Sequence, residues 1–255
     1  VKFNGVNVSI GRNVSIGKDV RIGDNTTIHD NVTLDDGVTI ADHVIIGEPD
    51  SLYYTDSQYI NKPTIIGKSC LIRSFAIVHA GAKLGEFVNV GHRATIRENS
   101  IIGKHTLIGM NTELQGDLSI GDYCRFQSFV SVGKGTKIGN YVFVYPYCVF
   151  TNDPRPPSDD LIGCTIGDFS QICTSSILMP GVIIGQHSLV GAMSKVASVY
   201  EDDSFIEGNP AKTIGRLSKM PFFNQSGKRH YPWPYHYSKN MPWEKLGYEA
   251  WLAIE

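Results

Sequence analysis

No apolar run in this chain approaches the roughly 18 to 20 residues needed to span a bilayer. Its start, VKFNGVNVSIG, lacks the basic-then-apolar form of a signal peptide, so a cytoplasmic location is expected. Nor is there an excess of one charge: 23 Lys and Arg face 25 Asp and Glu, a formal net charge of −2. Nothing draws the chain as a whole to nucleic acid or to an anionic membrane, and any anionic ligand must be met by locally placed cations. Cysteine is scarce as well. Five of them, without C-x-x-C spacing, make neither a disulfide framework nor a zinc motif, and free thiols are expected. What remains, 42% hydrophobic and 19% charged over 255 residues, suits a folded chain rather than a disordered or fibrous one.

What the chain does have is a period. An aliphatic or aromatic residue recurs at every sixth position: Ile10 to Ile46, then Ile66 to Phe150, then Ile166 to Val196, 28 hexads in all. Two residues before most of these lies a small or β-branched one, such as Val14, Cys70, Ala76, Ala94 or Ser188. That alternation is a short strand with both marked residues pointing inward. A six-residue period keeps no helix face apolar, so a helix is excluded. The reading is a parallel β-helix of three hexads per coil, nine coils stacked at ~4.8 Å. Cys70, Cys124, Cys148 and Cys164 fall at the small inward position and read as core; Cys173, one past Ile172, reads as an exposed corner residue.

The repeat breaks twice. After Ile46 it is interrupted by 14 extra residues and after Phe150 by 10, giving loops over about 48–63 and 151–163. Counting 18 residues per coil puts Ile46, Val78, Ile96, Leu114, Val132 and Phe150 in one column, so both loops leave at one corner. The residues one and two past that column, among them His79, Arg97, Glu98, Gln115, Lys134 and Asn152, then stack beside the loops. A repeat fold has no structural need for this mixture, which makes it the candidate site.

The hexad pattern, over residues 4–199, resembles the hexapeptide-repeat, left-handed β-helix acyltransferases; the left hand is implied by that resemblance, since parallel crossovers generally favour the right hand. In the second loop, Phe150-Thr151-Asn152-Asp153 with Pro154-Arg155 is similar to nucleotide-sugar N-acyltransferases that acetylate the 3-amino group of a UDP- or dTDP-linked sugar, as is TIRENSIIGKHTLIG upstream. The longer first loop and the C-terminal extension depart from those enzymes. IIGQHSLVGAMSKVASV and EGNPAKTIGRL resemble the terminal region where that superfamily meets acyl-CoA. The resemblance implies acetyl-CoA or another acyl-CoA as co-substrate, with Gly191, Ala192 and Ser194 beside its pantetheine arm. Lys195, Lys212 and Arg216 would answer its phosphates. It also implies a cytoplasmic homotrimer with active sites between chains, and a role in lipopolysaccharide or O-antigen biosynthesis.

Amine acylation needs a neutral amine, a polarised thioester and proton disposal. Histidine is the natural base, and backbone amides can hold the oxyanion. His79, at the loop-bearing corner, and His92, on a different edge, are the candidates, with Glu98 beside them. Arg97, Asn111, Gln115, Gln127, Asn152, Asp153 and Arg155 are the candidates for binding the sugar nucleotide. Without a protein base, the carboxylate and amide side chains would orient the amine and the departing thiolate would take the proton. His79, His92 and His105, spaced by 13 on three faces, cannot gather round one tetrahedral ion in one chain, and no metal is expected.

After the repeat, residues 200–255 form an extension that holds all three tryptophans, with nine of the 26 aromatics in its last 35 residues. PWEKLGYEAWLAIE reads as a short helix with Pro242 in its first turn, and HYPWPYHY as extended chain. Capping the open end of the prism is the expected task of this segment. The leading expectation is acyl transfer from CoA to the amine of a nucleotide-linked deoxyamino sugar. O-acylation of a sugar hydroxyl, an acyl-carrier protein as donor, and a non-enzymatic structural β-helix stay open beside it.

Overall fold

The computed structural model describes residues 5–223, 225–227, 238 and 241–254. The stretch HYPWPYHY lies outside these residues. The chain winds as a left-handed parallel β-helix whose strands fall into three sheets of ten, ten and eleven strands. The first sheet runs from Ser9–Ile10 to Lys195–Val196, the second from Ser15–Ile16 to Val199–Tyr200, and the third from Arg21–Ile22 through Ser204–Gly208 to Ala211–Arg216. We number the corners by the sheets they join: corner 1 joins the first and second, corner 2 the second and third, corner 3 the third and first.

Register follows the 18-residue count. Ile46, Val78, Ile96, Leu114, Val132 and Phe150 pair in succession through the first sheet. Winding continues one turn past the nine that the hexads predict, because a corner shortened by two residues seats Tyr200 on Ile184 and Ile206 on Val190. Inward residues from Ile28 to Ile206 form one continuous buried core that includes Cys70, Cys124, Cys148 and Cys164. Ile10 and Ile16, in the first coil, are half exposed.

Each corner turns on a residue in the left-handed region, which costs a side-chain-bearing residue about 1–2 kcal/mol. The first coils use Asn7, Asn13, Asp19, Asn25 and Asn31 there, whose polar side chains tolerate it. Corner 2 uses rings instead. Phe87, His105, Tyr123, Tyr141, Phe169 and His187 stack in an unbroken column at 4.6 to 5.6 Å. Contacts worth about 0.5–1.5 kcal/mol each offset the backbone strain. His105 is thus a member of a ring stack.

The C-terminal segment departs from expectation. Its helix covers only Tyr248–Leu252, with Pro242 in the preceding turns. Trp243, Tyr248 and Trp251 do not cap the prism; they pack on the side of corner 2 against Tyr141 and Phe169. The apolar rings found a ready apolar column there. The end of the prism is closed by Ala211–Arg216, which folds back antiparallel on Ser204–Gly208, and by Leu217 against Leu189 and Phe205. Cys173 lies half-buried under that closure rather than exposed.

Candidate functional site

Corner 1 carries both loops, as counted. The first is tied down by Asn61, which donates to the Gly47 carbonyl at 2.6 Å and accepts from the Tyr59 hydroxyl at 2.9 Å. The second is organised by Asp153, which accepts the Ser158 N–H and hydroxyl at 2.8 and 2.7 Å and the Arg155 N–H at 2.9 Å. Those bonds, led by the Ser158 hydroxyl, hold the Asp153 carboxyl below its ordinary range. Arg155 reaches the Asp160 carboxylate at 2.9 Å. Both side chains of the Asp-Pro-Arg motif therefore shape the loop itself.

Arg97 and Asn152 share this edge but stand three coils apart, about 14 Å by strand spacing. The cluster divides accordingly. Gln115, Asn152 and Asp153 line a cavity of about 430 Å³ with Phe150, Pro154 and Met179. One coil below Gln115, Arg97 grips Glu98 through two bonds of 2.9 and 3.1 Å. Below that, His79 has its Nδ1 enclosed with no hydrogen-bond partner. Burial pushes the His79 pKa down; the Glu98 carboxylate opposes this and the Arg97 charge adds to it. Beneath the first loop is another cleft of about 450 Å³, lined by His29, Asp30, Tyr53 and Tyr59.

Corner 3 holds the other candidates. His92 and Gln127 line a notch of about 240 Å³, with Arg73, Asn89, Ser128 and the bare backbone of Gly91 and Gly109. Arg73, Gly91, Gly109 and Gln127 occupy one row on successive coils. The two glycines leave the notch, and close coil contact requires them: a Cβ on Gly91 would meet the Met110 nitrogen at 2.6 Å. Along this row the N–H of each residue bonds to the next coil, Arg73 to Val90, Gly91 to Ile108, Gln127 to Val144. Among the described residues Gly109 makes no such bond, and pairing in its strand is limited to Leu107–Arg125. Asn111 follows at the turn, its N–H donating to the His92 carbonyl at 3.0 Å. Arg73 and Gly109 were missed in the sequence; their signal was the shared phase with Gly91 in the 18-residue count.

The C-terminal candidates separate as well. Ser194 faces inward, fully buried, and accepts the Gly208 N–H at 3.1 Å, so its side chain is absent from any outer surface. Gly191 is covered by the Glu207 side chain. Ala192, Lys195, Lys212 and Arg216 are exposed, with Lys212 opposite Glu207 in the terminal hairpin. Among the described residues no group of three or more His, Cys, Asp or Glu gathers as a metal site, and no helix is long and apolar enough to cross a membrane.

The comparisons accord with this architecture. The GMPPB C-terminal domain model matches residues 5–107. A chloramphenicol acetyltransferase of Agrobacterium fabrum is 27% identical over 109 residues, 38% of this chain and half the length of that relative. A solved UDP-N-acetylglucosamine acyltransferase superposes with a TM-score of 0.50 at 21% identity, over 84% of this chain and 73% of that one. The Arabidopsis UDP-N-acetylglucosamine acyltransferase gives 0.47 at 19% identity, over 82% and 73%. At these identities the likeness to solved structures is one of fold.

Proposed function

We propose that this protein is an acyltransferase that moves an acetyl or other short acyl group from acyl-CoA to the amine of a nucleotide-linked deoxyamino sugar. One observation carries the reading: an exposed histidine, His92, borders a notch lined by Gly109, whose backbone N–H has no partner carbonyl among the described residues. A base and an oxyanion donor are what a thioester acyl transfer requires.

The amine lone pair forms the C–N bond at the thioester carbon, and the carbonyl oxygen gains the charge that the Gly109 N–H receives. The C–S bond then breaks and the CoA thiolate leaves. The surplus proton of the amine passes to His92 and from it to the thiolate. His79, enclosed and held neutral by burial, serves as a positioning residue under the first loop. Gln115 and Asn152, at corner 1, lie on the other side of the first sheet from His92. A homotrimer with parallel axes would set corner 1 of one copy beside corner 3 of the next, joining them. The exposed stripe of Phe75, Phe129, Tyr147 and Met193 along corner 3 supports such an interface. CoA would lie toward Ala192, Lys195, Lys212 and Arg216. We assign the reaction to the cytoplasm, in the assembly of surface polysaccharide.

The test is a thiol-release assay with acetyl-CoA and a panel of UDP- and dTDP-linked amino sugars, with mass spectrometry of the product. Acyl transfer to nitrogen, lost in His92→Gln, is expected. Release of thiol only with hydroxyl acceptors, or no binding of any CoA species in a thermal-shift screen, overturns the reading.

A further inference from the structure

The chain has no net positive charge, so an anionic substrate must find cations that are not already neutralised. Among the described residues, five ion pairs consume Arg12, His29, Arg97, Lys134 and Arg155. Two arginines outside this set stand together on corner 3. Arg73 forms the lower wall of the notch, one coil beneath Gly91. Arg93 follows His92 at the turn, its guanidinium 5.4 Å from the centre of the Phe75 ring. Among the described residues, neither side chain makes an ion pair or a hydrogen bond to a protein acceptor. Asp42, in this corner one coil below Ser74, accepts the Asp24 N–H on its Oδ1 at 2.8 Å.

We propose that Arg73 and Arg93, with the Asn89, Gln127 and Ser128 side chains of the notch, bind a phosphate group, that of the nucleoside diphosphate carried by the acceptor. Guanidinium forks beside neutral donors are the arrangement that recognises phosphate. The coenzyme's phosphates are the other source of this chemistry. The CoA candidates at Ala192 and Lys195 lie six coils above Arg73, about 29 Å by strand spacing, which favours the acceptor. The identity of the phosphate's owner rests on the acyltransferase reading; the existence of the anion site does not.

Titration calorimetry on the full chain tests this with UDP, dTDP, CoA and inorganic pyrophosphate, at low and moderate salt. UDP or dTDP should bind, with affinity falling as salt rises. Arg73→Gln and Arg93→Gln should each weaken that binding about tenfold or more, the scale of one lost charged hydrogen bond. Arg73→Lys should restore part of it, and CoA binding should change less than twofold. Circular dichroism matching the parent chain guards against misfolding. Equal nucleotide affinity in the glutamine variants, or no phosphate compound bound by the parent chain, overturns the site. Loss confined to CoA reassigns the phosphate and overturns the acceptor assignment. Arginine-dependent UDP binding without any acyl transfer would sustain the site while removing the proposed reaction.

Discussion

The Lys134 ammonium meets the Asp117 carboxylate at 2.9 Å and makes it the centre of a polar rail along corner 1. Asn99 donates to the other Asp117 oxygen at 2.8 Å and accepts Lys62 at 3.2 Å, while Asn152 reaches the Lys134 carbonyl at 3.4 Å. The rail therefore runs from the base of the first loop to the base of the second. Burial works against the Asp117 charge, but the bonds from Lys134 and Asn99 outweigh it and set its pKa below the usual carboxylate value.

A depressed carboxylate stabilises the fold above its unfolded pKa of about 3.9 and loses that contribution as pH falls through its lower folded value. Asp117→Asn should cost at most about 1 kcal/mol at pH 7, since the pair is part exposed and screened. The difference from the parent chain should shrink below pH 4. Urea denaturation at pH 7 and pH 3 measures both; an equal difference at the two pH values would sink the assignment.

The two histidines should separate by pH. His79 has a folded pKa below the ordinary imidazole value, so its contribution to stability is present above about pH 6.5 and is lost as pH falls through the folded value. His79→Gln should flatten the fall of melting temperature between pH 7 and 5, with kcat reduced only modestly. His92→Gln should instead lower kcat by about 100-fold or more, the scale of a lost general base. The reverse pattern would move the base to corner 1.

Trp243 is almost wholly buried against Tyr141, at 5.0 Å, and Phe169, at 6.0 Å. Trp243→Ala should cost about 3–5 kcal/mol of the energy that docks the C-terminal segment. The prism, whose core does not include Trp243, should stay folded. Hydrogen exchange should therefore rise in residues 241–254 while the coils remain protected. Uniform deprotection of the coils would make the segment part of one cooperative unit with the prism.

How far these features were legible follows from their periodicity. The column from Ile46 to Phe150, the inward cysteines and the common exit of the two loops all repeat with the coil, so counting alone locates them. Axial distance does not show in a count of phase, and Arg97 and Asn152 prove to share an edge without sharing a pocket. The docking of Trp243 was hidden for a different reason. The rings from Phe87 to His187 keep the 18-residue phase, but nothing in that phase shows that left-handed turns stack them into an apolar column on which Trp243 can dock. Ser194 read as a surface residue although it holds the inward phase, and there the motif outweighed the count.

The thiols make the last prediction. Burial pushes Cys70, Cys124 and Cys164 up to about 12 and Cys148 and Cys173 up to about 11. At pH 8 almost none of these groups is thiolate, the form that attacks disulfides. Ellman's reagent should therefore label the native chain slowly at every cysteine and release five equivalents only after denaturation. Cys173, half-buried beneath the closing hairpin rather than inside a coil, should be the first to react, and faster in Leu217→Ala, which opens the cover over it. Rapid labelling of any of the four inward thiols in the native protein would mean that the coils part more readily than their packing allows.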